Sequence, residues 1–208
     1  MLNNVRDTCG HIGSPEKRRK YMEFSFLYSI TRTGFLDSFF LAVTNIAGSY
    51  GQLWLAVGIL LLFFKKTRNT GIAVLISYIC VYVFGQYILK NLINRPRPCH
   101  IDQTFEMLVK RPSSSSFPST HSAWAFAGAT AIFMKFKKAG VATFVVAALI
   151  AFSRMYMFLH FPTDVLAGMI MGIIFGIAAV KICDMVAKRT KKEITEEESL
   201  RKRTEDIS

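Results

Sequence analysis

The sequence of 208 residues contains few cysteines and few acidic side chains. Its four cysteines, Cys9, Cys80, Cys99 and Cys183, lie far apart without metal-ligand spacing, so we expect four free thiols and no disulfide framework. Residues 1–20 lack the apolar core of a signal peptide, so nothing there indicates cleavage. Only 14 acidic residues face 26 basic ones, and the formal net charge is +12.

This positive charge is not arranged as a nucleic-acid surface. The basic residues are spread over short loops and tails, without aromatic stacking partners on a soluble face, and we therefore predict no nucleic-acid partner. Three clusters instead flank apolar runs: Lys65, Lys66 and Arg68; Lys135, Lys137 and Lys138; and Lys188, Arg189, Lys191 and Lys192. If the apolar runs alternate in direction, all three clusters lie on one side of a membrane, which the positive-inside tendency identifies as cytoplasmic.

Long stretches of the chain contain no Asp, Glu, Lys, Arg or His, as the hydrocarbon core of a bilayer requires. These stretches are 52–64, 71–89, 123–133, 140–152 and 165–180. A sixth segment, 24–48, is interrupted by Arg32 and Asp37 and either crosses the membrane or lies flat on its surface. The basic cluster just before it favours a crossing. The sequence thus predicts an all-α integral membrane protein, a bundle of about six transmembrane helices, in the cell membrane.

The same pattern predicts three regions along the chain. Residues 1–20 form a cytoplasmic N-terminal segment, residues 21–187 a transmembrane domain, and residues 188–208 a charged cytoplasmic tail. The tail suits either a solvated helix extension or a disordered end. Inside the domain, the long connection 95–118 contains three prolines and a run of four serines, and is placed to cover a site or to admit a head group.

Chemistry-bearing residues concentrate in three patches, each at the end of an apolar run. The alternation that makes the basic clusters cytoplasmic puts all three patches on the external face. They read Lys90-x6-Arg97-Pro98, then Phe117-Pro118-Ser119-Thr120-His121-Ser122, then Ser153-Arg154-x5-His160-x3-Asp164. Three cations could hold phosphoryl oxygens, two histidines could attack phosphorus or transfer protons, and one carboxylate could orient an imidazole. These are the roles that metal-independent cleavage of a phosphate ester needs, so we predict no metal and no cofactor.

Local signals place two of these groups at helix starts. Ser119 is a candidate N-cap, which puts His121 in a first turn, where free backbone N–H groups favour an anion. Pro162 suits the first position of a second helix, with Asp164 in its first turn close to His160. We expect the Asp164 carboxylate to accept the ring N–H of His160 and to leave the other ring nitrogen free to attack. Arg95 stays open as a phosphate ligand because it lies two residues from Arg97.

These three patches resemble the signature of the type 2 phosphatidic acid phosphatase family, which reads Lys-x6-Arg-Pro, Pro-Ser-Gly-His and Ser-Arg-x5-His-x3-Asp. The helical frame from about residue 35 to 185 also looks like that of bacterial members. The fold that this implies is the one shared with vanadium haloperoxidases. Thr120 stands where the pattern most often has glycine. A backbone N–H is still available there to bind phosphate, so the added side chain bears on substrate choice more than on chemistry.

The resemblance implies a role for each residue. By this resemblance, His160 would attack phosphorus and Asp164 would hold the His160 ring, while His121 would protonate the leaving oxygen and then activate water. Lys90, Arg97, Arg154, Ser119 and the backbone of Thr120 bind the phosphoryl oxygens.

The implied partner is a phosphorylated membrane lipid, and undecaprenyl diphosphate is favoured by the compact frame and the external face. The alternatives are phosphatidylglycerophosphate or phosphatidic acid, lipid A phosphates, and transfer of the phosphate to another lipid. A lipid-binding role without catalysis is disfavoured, because a binder needs the cations but not two histidines with an acid. The sequence indicates no oligomeric state.

Overall fold

The apolar runs of the sequence form helices. The computed structural model describes residues 15–205, with side chains from 21 to 199. All regular secondary structure in this part is helical, which confirms the predicted all-α fold. The elements in chain order are α1 (Pro15–Ser29), α2 (Gly34–Ala47), α3 (Gln52–Leu62), α4 (Arg68–Cys80), a π-helical segment (Val81–Leu89), α5 (Lys90–Ile93), α6 (Pro98–Ile101), α7 (Thr120–Lys135), α8 (Lys137–Tyr156) and α9 (Pro162–Glu205).

Three helical stretches within the described residues are long and apolar enough to cross a membrane: Arg68–Ile101, Lys137–Tyr156 and Pro162–Ser199. Helices α2 and α3 pass the same test only as a pair bent by 51°, which raises the number to four if the pair is one broken span. Helix α7 has 16 residues, fewer than the roughly 20 that a straight crossing needs. The predicted number of six crossings is therefore not confirmed.

Helix α7 forms the centre of the bundle because small residues let α9 approach its backbone. A Cβ atom on Gly168 would lie 2.3 Å from the carbonyl oxygen of Ser119, and one on Gly172 would lie 2.3 Å from that of Ala123. Such a stripe of glycines at every fourth position is typical of tightly packed membrane helices. This contact fixes the start of α7 against the first turns of α9, and so brings the second and third patches together.

Helix α2 packs antiparallel to the last turns of α8. The hydroxyls of Thr44 and Ser153 are 3.1 Å apart, and the ring centroids of Phe40 and Tyr156 are 4.6 Å apart. Helix α2 therefore starts at the end of the bundle where α8 finishes and α9 begins. After the 51° bend, α3 continues toward the opposite end, where the Thr67 hydroxyl donates to the carbonyl of Leu61.

Helix α1 lies at the same end of the bundle as the C-terminus of α8. Glu23 forms an ion pair of 2.5 Å with Arg95, and the Tyr28 hydroxyl donates to Asp102. The predicted segment 24–48 is thus divided between the second half of α1 and α2, and α2 begins the bent pair. These contacts also place α1 at the end where the three patches meet. Most of the predicted cytoplasmic segment 1–20 lies outside the described residues, so its side of the membrane stays a prediction.

The tail matches the helical alternative, because α9 continues without a break to Glu205. At the end of the bundle away from the three patches, Lys135 at the C-terminus of α7 pairs with Asp184 of α9 at 2.5 Å. The two helices are therefore joined at both ends, by glycine packing near one and by an ion pair near the other.

Candidate active site

The three patches converge on one cavity of about 440 Å³. Its walls include five of the predicted site residues: Lys90, Arg97, Thr120, His121 and Arg154. The other three, Ser119, His160 and Asp164, lie immediately behind these walls and are almost completely buried, with exposed fractions of 0–1%. The convergence agrees with the prediction that all three patches share one face.

Lys90 reaches this cavity through an unusual stretch of helix. The nine residues Val81–Leu89 form a π-helix, an arrangement that is rare and concentrates at functional sites. The short α5 that follows ends at Asn94, whose φ of 45° is the left-handed conformation that terminates helices. As a result, the Lys90 side chain faces the cavity and is nearly buried.

Arg97 is fixed by the serine-rich loop and by the turn that carries His160. Its Nε donates to the carbonyl of Ser114 at 2.8 Å, and its Nη1 donates to the carbonyl of Leu159 at 3.0 Å. The same Nη1 lies 3.0 Å from Nε2 of His160. The connection 95–118 therefore covers the site as predicted, and it also holds one of the cations in place.

The three buried cations have no anionic partner. Within the described residues, no carboxylate lies within 4.0 Å of the charged nitrogens of Lys90, Arg97 or Arg154. Arg154 donates from Nη1 to the Thr44 hydroxyl at 3.2 Å, while its buried Nε has no hydrogen-bond partner in the described part. Buried charges are normally paired, so three unpaired cations around one cavity indicate a site for an anion with several oxygens.

His160 is held in a tight turn between α8 and α9. Phe158 has a φ of 57°, uncommon for a residue with a bulky side chain, and the backbone N–H groups of Leu159 and His160 both donate to the carbonyl of Arg154. Burial lowers the pKa of His160 well below its ordinary value, and the neighbouring cations Arg97, Arg154 and Lys90 lower it further. We call the cavity between Lys90, Arg97 and Arg154 the cation pocket. The imidazole is therefore neutral near pH 7, with Nε2 directed at the cation pocket, as a nucleophile requires.

Asp164 is engaged from several sides but not by the predicted hydrogen bond. Its Oδ2 accepts from the Ser116 hydroxyl at 2.5 Å and from the backbone N–H of Phe161 at 2.9 Å. The distance from this oxygen to Nδ1 of His160 is 3.9 Å, beyond hydrogen-bond range. Ser116 and Phe161 occupy that oxygen, so the structure contains no hydrogen bond between Asp164 and the His160 ring.

Arg95 faces this carboxylate and not the cavity. Its Nη1 donates to Oδ1 of Asp164 at 2.6 Å, and its Nη2 pairs with Glu23 of α1 at 2.5 Å. The Thr163 hydroxyl joins the cluster by donating to Glu23 and accepting from Arg95. Arg95 thus serves as the partner of two buried carboxylates, and the possibility that it binds phosphate is not supported by its position.

His121 lies in the first turn of α7, which begins after Ser119 as predicted. Its Nε2 is 2.9 Å from the carbonyl oxygen of Gly48, which can only accept, so Nε2 carries a proton. Proton exchange with a substrate must then use Nδ1. The predicted cap does not form through the side chain, because the Ser119 hydroxyl is bonded to that of Ser122 at 2.9 Å.

Several contributors to the site were missed by sequence reasoning. Gly48 holds His121, Thr44 holds Arg154, and Gln86 approaches the Thr120 hydroxyl at 3.2 Å. The one feature of the sequence that could have indicated these contributors is the pair of glycines, 48 and 51, that bracket a short polar loop between two apolar helices. Glu23 had no signal, because its partner Arg95 is 72 residues away.

In the described part of the chain, no group of three or more His, Cys, Asp or Glu side chains is arranged to hold a metal ion.

Comparison with known families decides the classification. A family model described as the PAP2 superfamily matches residues 67–187, which include all three patches. The chain belongs to the PAP2 superfamily. This confirms the resemblance seen in the motifs.

Among curated relatives, an undecaprenyl-diphosphatase of Sulfolobus acidocaldarius is 32% identical over 136 residues, covering 64% of this chain and 66% of the relative. The chain thus spans just under two thirds of that relative's length. Undecaprenyl-diphosphatase BcrC of Bacillus subtilis is 28% identical over 162 residues, 73% of this chain and 77% of the relative. A lipid A 1-phosphatase of Rhizobium johnstonii is 28% identical over 153 residues, 64% of this chain and 63% of the relative. These relatives are all phosphatases, in agreement with the predicted enzyme class.

Two solved structures show the fold. A transmembrane PAP2-type phosphatidylglycerolphosphate phosphatase of Bacillus subtilis matches with a TM-score of 0.65 at 24% identity, over 85% of this chain and 89% of the other. A bacterial vanadium-dependent iodoperoxidase matches with a TM-score of 0.59 at 16% identity, over 83% of this chain and 50% of the other. The predicted fold, common to PAP2 phosphatases and vanadium haloperoxidases, is therefore confirmed.

Proposed function

We propose that this chain hydrolyses the phosphate or diphosphate of a membrane lipid through a covalent phosphohistidine on His160. The observation that carries the proposal is the set of three buried, unpaired cations around one cavity, with Nε2 of His160 at 3.0 Å from Arg97. A phosphoryl group bound by these cations would lie in reach of a neutral imidazole, and proximity of this kind supplies a large part of a rate enhancement.

In the first step, Nε2 of His160 attacks phosphorus and the bond from phosphorus to the leaving oxygen breaks. For this step the His121 ring carries a proton on each nitrogen, a form that the negative charge of the bound phosphate favours. It donates the proton on Nδ1 to that oxygen, so the lipid leaves as an alcohol or as a monophosphate. Lys90, Arg97 and Arg154 neutralise the charge that spreads over the phosphoryl oxygens in the transition state. The negative charge of Asp164 stabilises the positive imidazole ring behind the new bond.

In the second step, water attacks the phosphohistidine. His121 takes a proton from this water at Nδ1, the P–N bond breaks, and inorganic phosphate leaves. Nε2 of His121 keeps its hydrogen bond to Gly48 throughout, which holds the ring in one orientation. Ser119 and the backbone N–H of Thr120 are proposed as further contacts of the phosphoryl oxygens, at the start of α7.

The charge of the loops supports an external site. Lys65, Lys66 and Arg68, the turn that carries Lys135, Lys137 and Lys138, and the basic start of the tail all lie at the end of the bundle away from the cavity. By the positive-inside tendency that end is cytoplasmic and the cavity opens outside. On this arrangement the C-terminal tail is cytoplasmic, while α1 shares the external side with the site.

Undecaprenyl diphosphate is the first proposed substrate, because two curated relatives carry the name undecaprenyl-diphosphatase. A lipid A phosphate is the second, because the Rhizobium relative is a lipid A 1-phosphatase. Phosphatidylglycerophosphate, phosphatidic acid and transfer to an acceptor lipid remain alternatives for the same site.

The test is phosphate release by the purified full chain in detergent with EDTA present. Undecaprenyl diphosphate, lipid A, phosphatidylglycerophosphate and phosphatidic acid are offered separately, with the variant His160→Ala as the blank. We expect release that depends on His160, with the highest kcat/KM for undecaprenyl diphosphate. Loss of activity in EDTA would contradict the metal-independent mechanism, and an acceptor lipid that suppresses phosphate release would indicate a phosphotransferase.

A further inference from the structure

The site has more room and more polar groups than one phosphoryl group uses. Its cavity of about 440 Å³ falls in the range that holds whole small molecules. Besides the three cations of the cation pocket, its walls include Gln86 of the π-helical segment and Lys110 of the connection 95–118. In the described part of the chain, no carboxylate lies within 4.0 Å of the Lys110 ammonium group. The cavity can therefore accept anionic oxygens beyond those of the phosphoryl group that is transferred.

Gln86 is held at this cavity by Thr120, the residue that departs from the usual glycine. The Thr120 hydroxyl donates to Oε1 of Gln86 at 3.2 Å. The Thr120 methyl group lies against the neighbouring Gly85, where an added Cβ atom would be 3.2 Å from the methyl carbon and 2.8 Å from Cε of Met171. The adjacent pair Gly85 and Gln86 thus accommodates both branches of the threonine side chain and selects one rotamer.

This hydrogen bond leaves the amide nitrogen of Gln86 available. Since Oε1 accepts from Thr120, Nε2 is the donor end of the amide, and it has no hydrogen-bond partner among the described residues. Gln86 is the only Asn or Gln in the apolar run 71–89, and polar side chains within such runs are costly unless they serve a site. Lys90, one turn later, lines the same cavity. Nε2 of Gln86 is therefore free to donate to a ligand bound there.

The place of Thr120 in the chain puts Gln86 on the side of the leaving group. The next residue, His121, is the proposed donor to the leaving oxygen. In a lipid diphosphate that oxygen belongs to a second phosphate, whereas in a lipid monophosphate it belongs to an alcohol. An N–H donor near His121 therefore finds an anionic acceptor only when the substrate is a diphosphate.

We propose that Gln86, oriented by Thr120, binds the second phosphate of a lipid diphosphate and makes the site prefer diphosphates to monophosphates. The inference rests on the proposed function and names the substrate class of that site. Lys110 adds positive charge to the same cavity. Threonine in place of glycine follows from this preference, because glycine at position 120 would leave the Gln86 amide without the hydroxyl that orients it.

The test compares two variants of Gln86 with a matched exchange elsewhere. Gln86→Leu removes the donor, and Gln86→Glu keeps an acceptor for Thr120 at nearly the same size, but its carboxylate cannot donate. The control is Gln103→Leu, the same exchange at an exposed position outside the cavity. Two quantities are measured for each purified full-length protein in detergent. They are kcat/KM for undecaprenyl diphosphate and the inhibition constant of inorganic phosphate, which fills the cation pocket alone.

For both Gln86 variants we expect kcat/KM for undecaprenyl diphosphate to fall about tenfold or more, because a hydrogen bond to a charged group is lost. The inhibition constant of inorganic phosphate should stay within about twofold of the wild-type value, since the cation pocket is unchanged. The control should keep both values. An unchanged kcat/KM in Gln86→Leu, or a rise of the inhibition constant by the same factor as the fall in kcat/KM, would overturn the proposal.

The role of Thr120 is tested by a double-mutant cycle. Thr120→Val keeps the shape of the side chain without its hydroxyl, and it should lower kcat/KM for undecaprenyl diphosphate about threefold in the wild-type background but not in Gln86→Leu. Thr120→Ser, which keeps the hydroxyl, should retain more activity than Thr120→Val. An equal fall in both backgrounds would show that Thr120 does not act through Gln86 and would overturn that part of the proposal.

Failure of this inference is distinguishable from failure of the proposed function. Hydrolysis of phosphatidic acid without hydrolysis of undecaprenyl diphosphate by the wild-type protein would keep the proposed function and overturn the preference for diphosphates. A wild-type protein that releases phosphate from no lipid would instead count against the proposed function.

Discussion

The two sides of His160 carry charge in opposite ways. On the cavity side, Lys90, Arg97 and Arg154 are buried without a carboxylate within 4.0 Å in the described part of the chain. On the other side, Asp164, Arg95 and Glu23 form a chain of alternating charges with ion pairs of 2.6 and 2.5 Å. The first of these regions is the cation pocket, and we call the second the acid cluster. The difference indicates that the pocket is incomplete until an anion binds, whereas the cluster is complete and supports the fold.

The largest expected effect comes from the histidines between the two regions. His160→Ala removes the attacking nitrogen and His121→Ala removes the proton donor, so each should lower kcat by about a thousandfold or more. The measurement is single-turnover phosphate release with the substrate preferred by the wild-type protein. His100→Ala is the control, because His100 lies outside the cavity. Retention of more than about a tenth of the wild-type rate in either variant would remove that histidine from the mechanism.

Substitution in the cation pocket should separate activity from stability. Lys90→Met keeps the length of the side chain but removes a charge that stabilises the transition state, and we expect kcat/KM to fall about a hundredfold. The same change removes a buried unpaired charge, so the melting temperature without substrate should stay the same or rise. Activity assays and thermal unfolding in detergent check both. A clear drop in melting temperature would mean that Lys90 has a structural partner.

The acid cluster should show the reverse pattern. Arg95→Met leaves Asp164 and Glu23 buried without a cation, and we expect a loss of about 3 kcal/mol of stability, or roughly 6–12 °C in melting temperature. Glu23→Gln should cost less, because Arg95 keeps Asp164 as a partner. Tyr28→Phe, on the same helix but bonded to Asp102, is the control for general disturbance of α1. Equal stability of Arg95→Met and wild type would erase the distinction between the two regions.

The smallest effect concerns pH, and it asks which region dominates at His160. Burial lowers the pKa of His160, and the cations of the pocket lower it further. The nucleophile therefore stays neutral as pH falls through the ordinary histidine range, and kcat/KM should not fall between pH 7 and 6. The lowered pKa of His160 also makes the folded state less stable as pH falls below about 6.5. In that range His160 binds a proton in the unfolded chain but not in the folded chain. An acid limb of kcat/KM with its midpoint above 6.5 would show that the acid cluster dominates instead.

The cation pocket could be anticipated from sequence and the acid cluster could not. Lys90, His121 and Arg154 stand at ends of apolar runs whose alternation brings them to one face, so spacing alone predicts that they converge. Glu23 meets Arg95 across 72 residues, and nothing in the local pattern of either residue specifies that contact. Gly48 and its bond to His121 also depend on how α2 and α3 bend, which is a matter of tertiary packing.

The number of crossings illustrates the same limit. Apolar runs identified the helices, but the break between α1 and α2 divides the predicted segment 24–48. The 51° bend before α3 then joins its second half to the separate run 52–64. Arg32 and Asp37, which interrupt that segment, pair with each other at 3.1 Å at the pocket end instead of facing hydrocarbon. Hydropathy reports which residues avoid water, and it does not report where a helix stops along the surface.

The most direct test of the account is to trap the covalent intermediate. The full-length protein is mixed with ³²P-labelled substrate, quenched in alkali within the first turnover, and digested for peptide mapping. We expect an alkali-stable, acid-labile phosphate on the peptide that contains His160, present in the wild-type protein and absent in His160→Ala. A label on any other residue, or phosphate release at the wild-type rate with no label on protein, would contradict it.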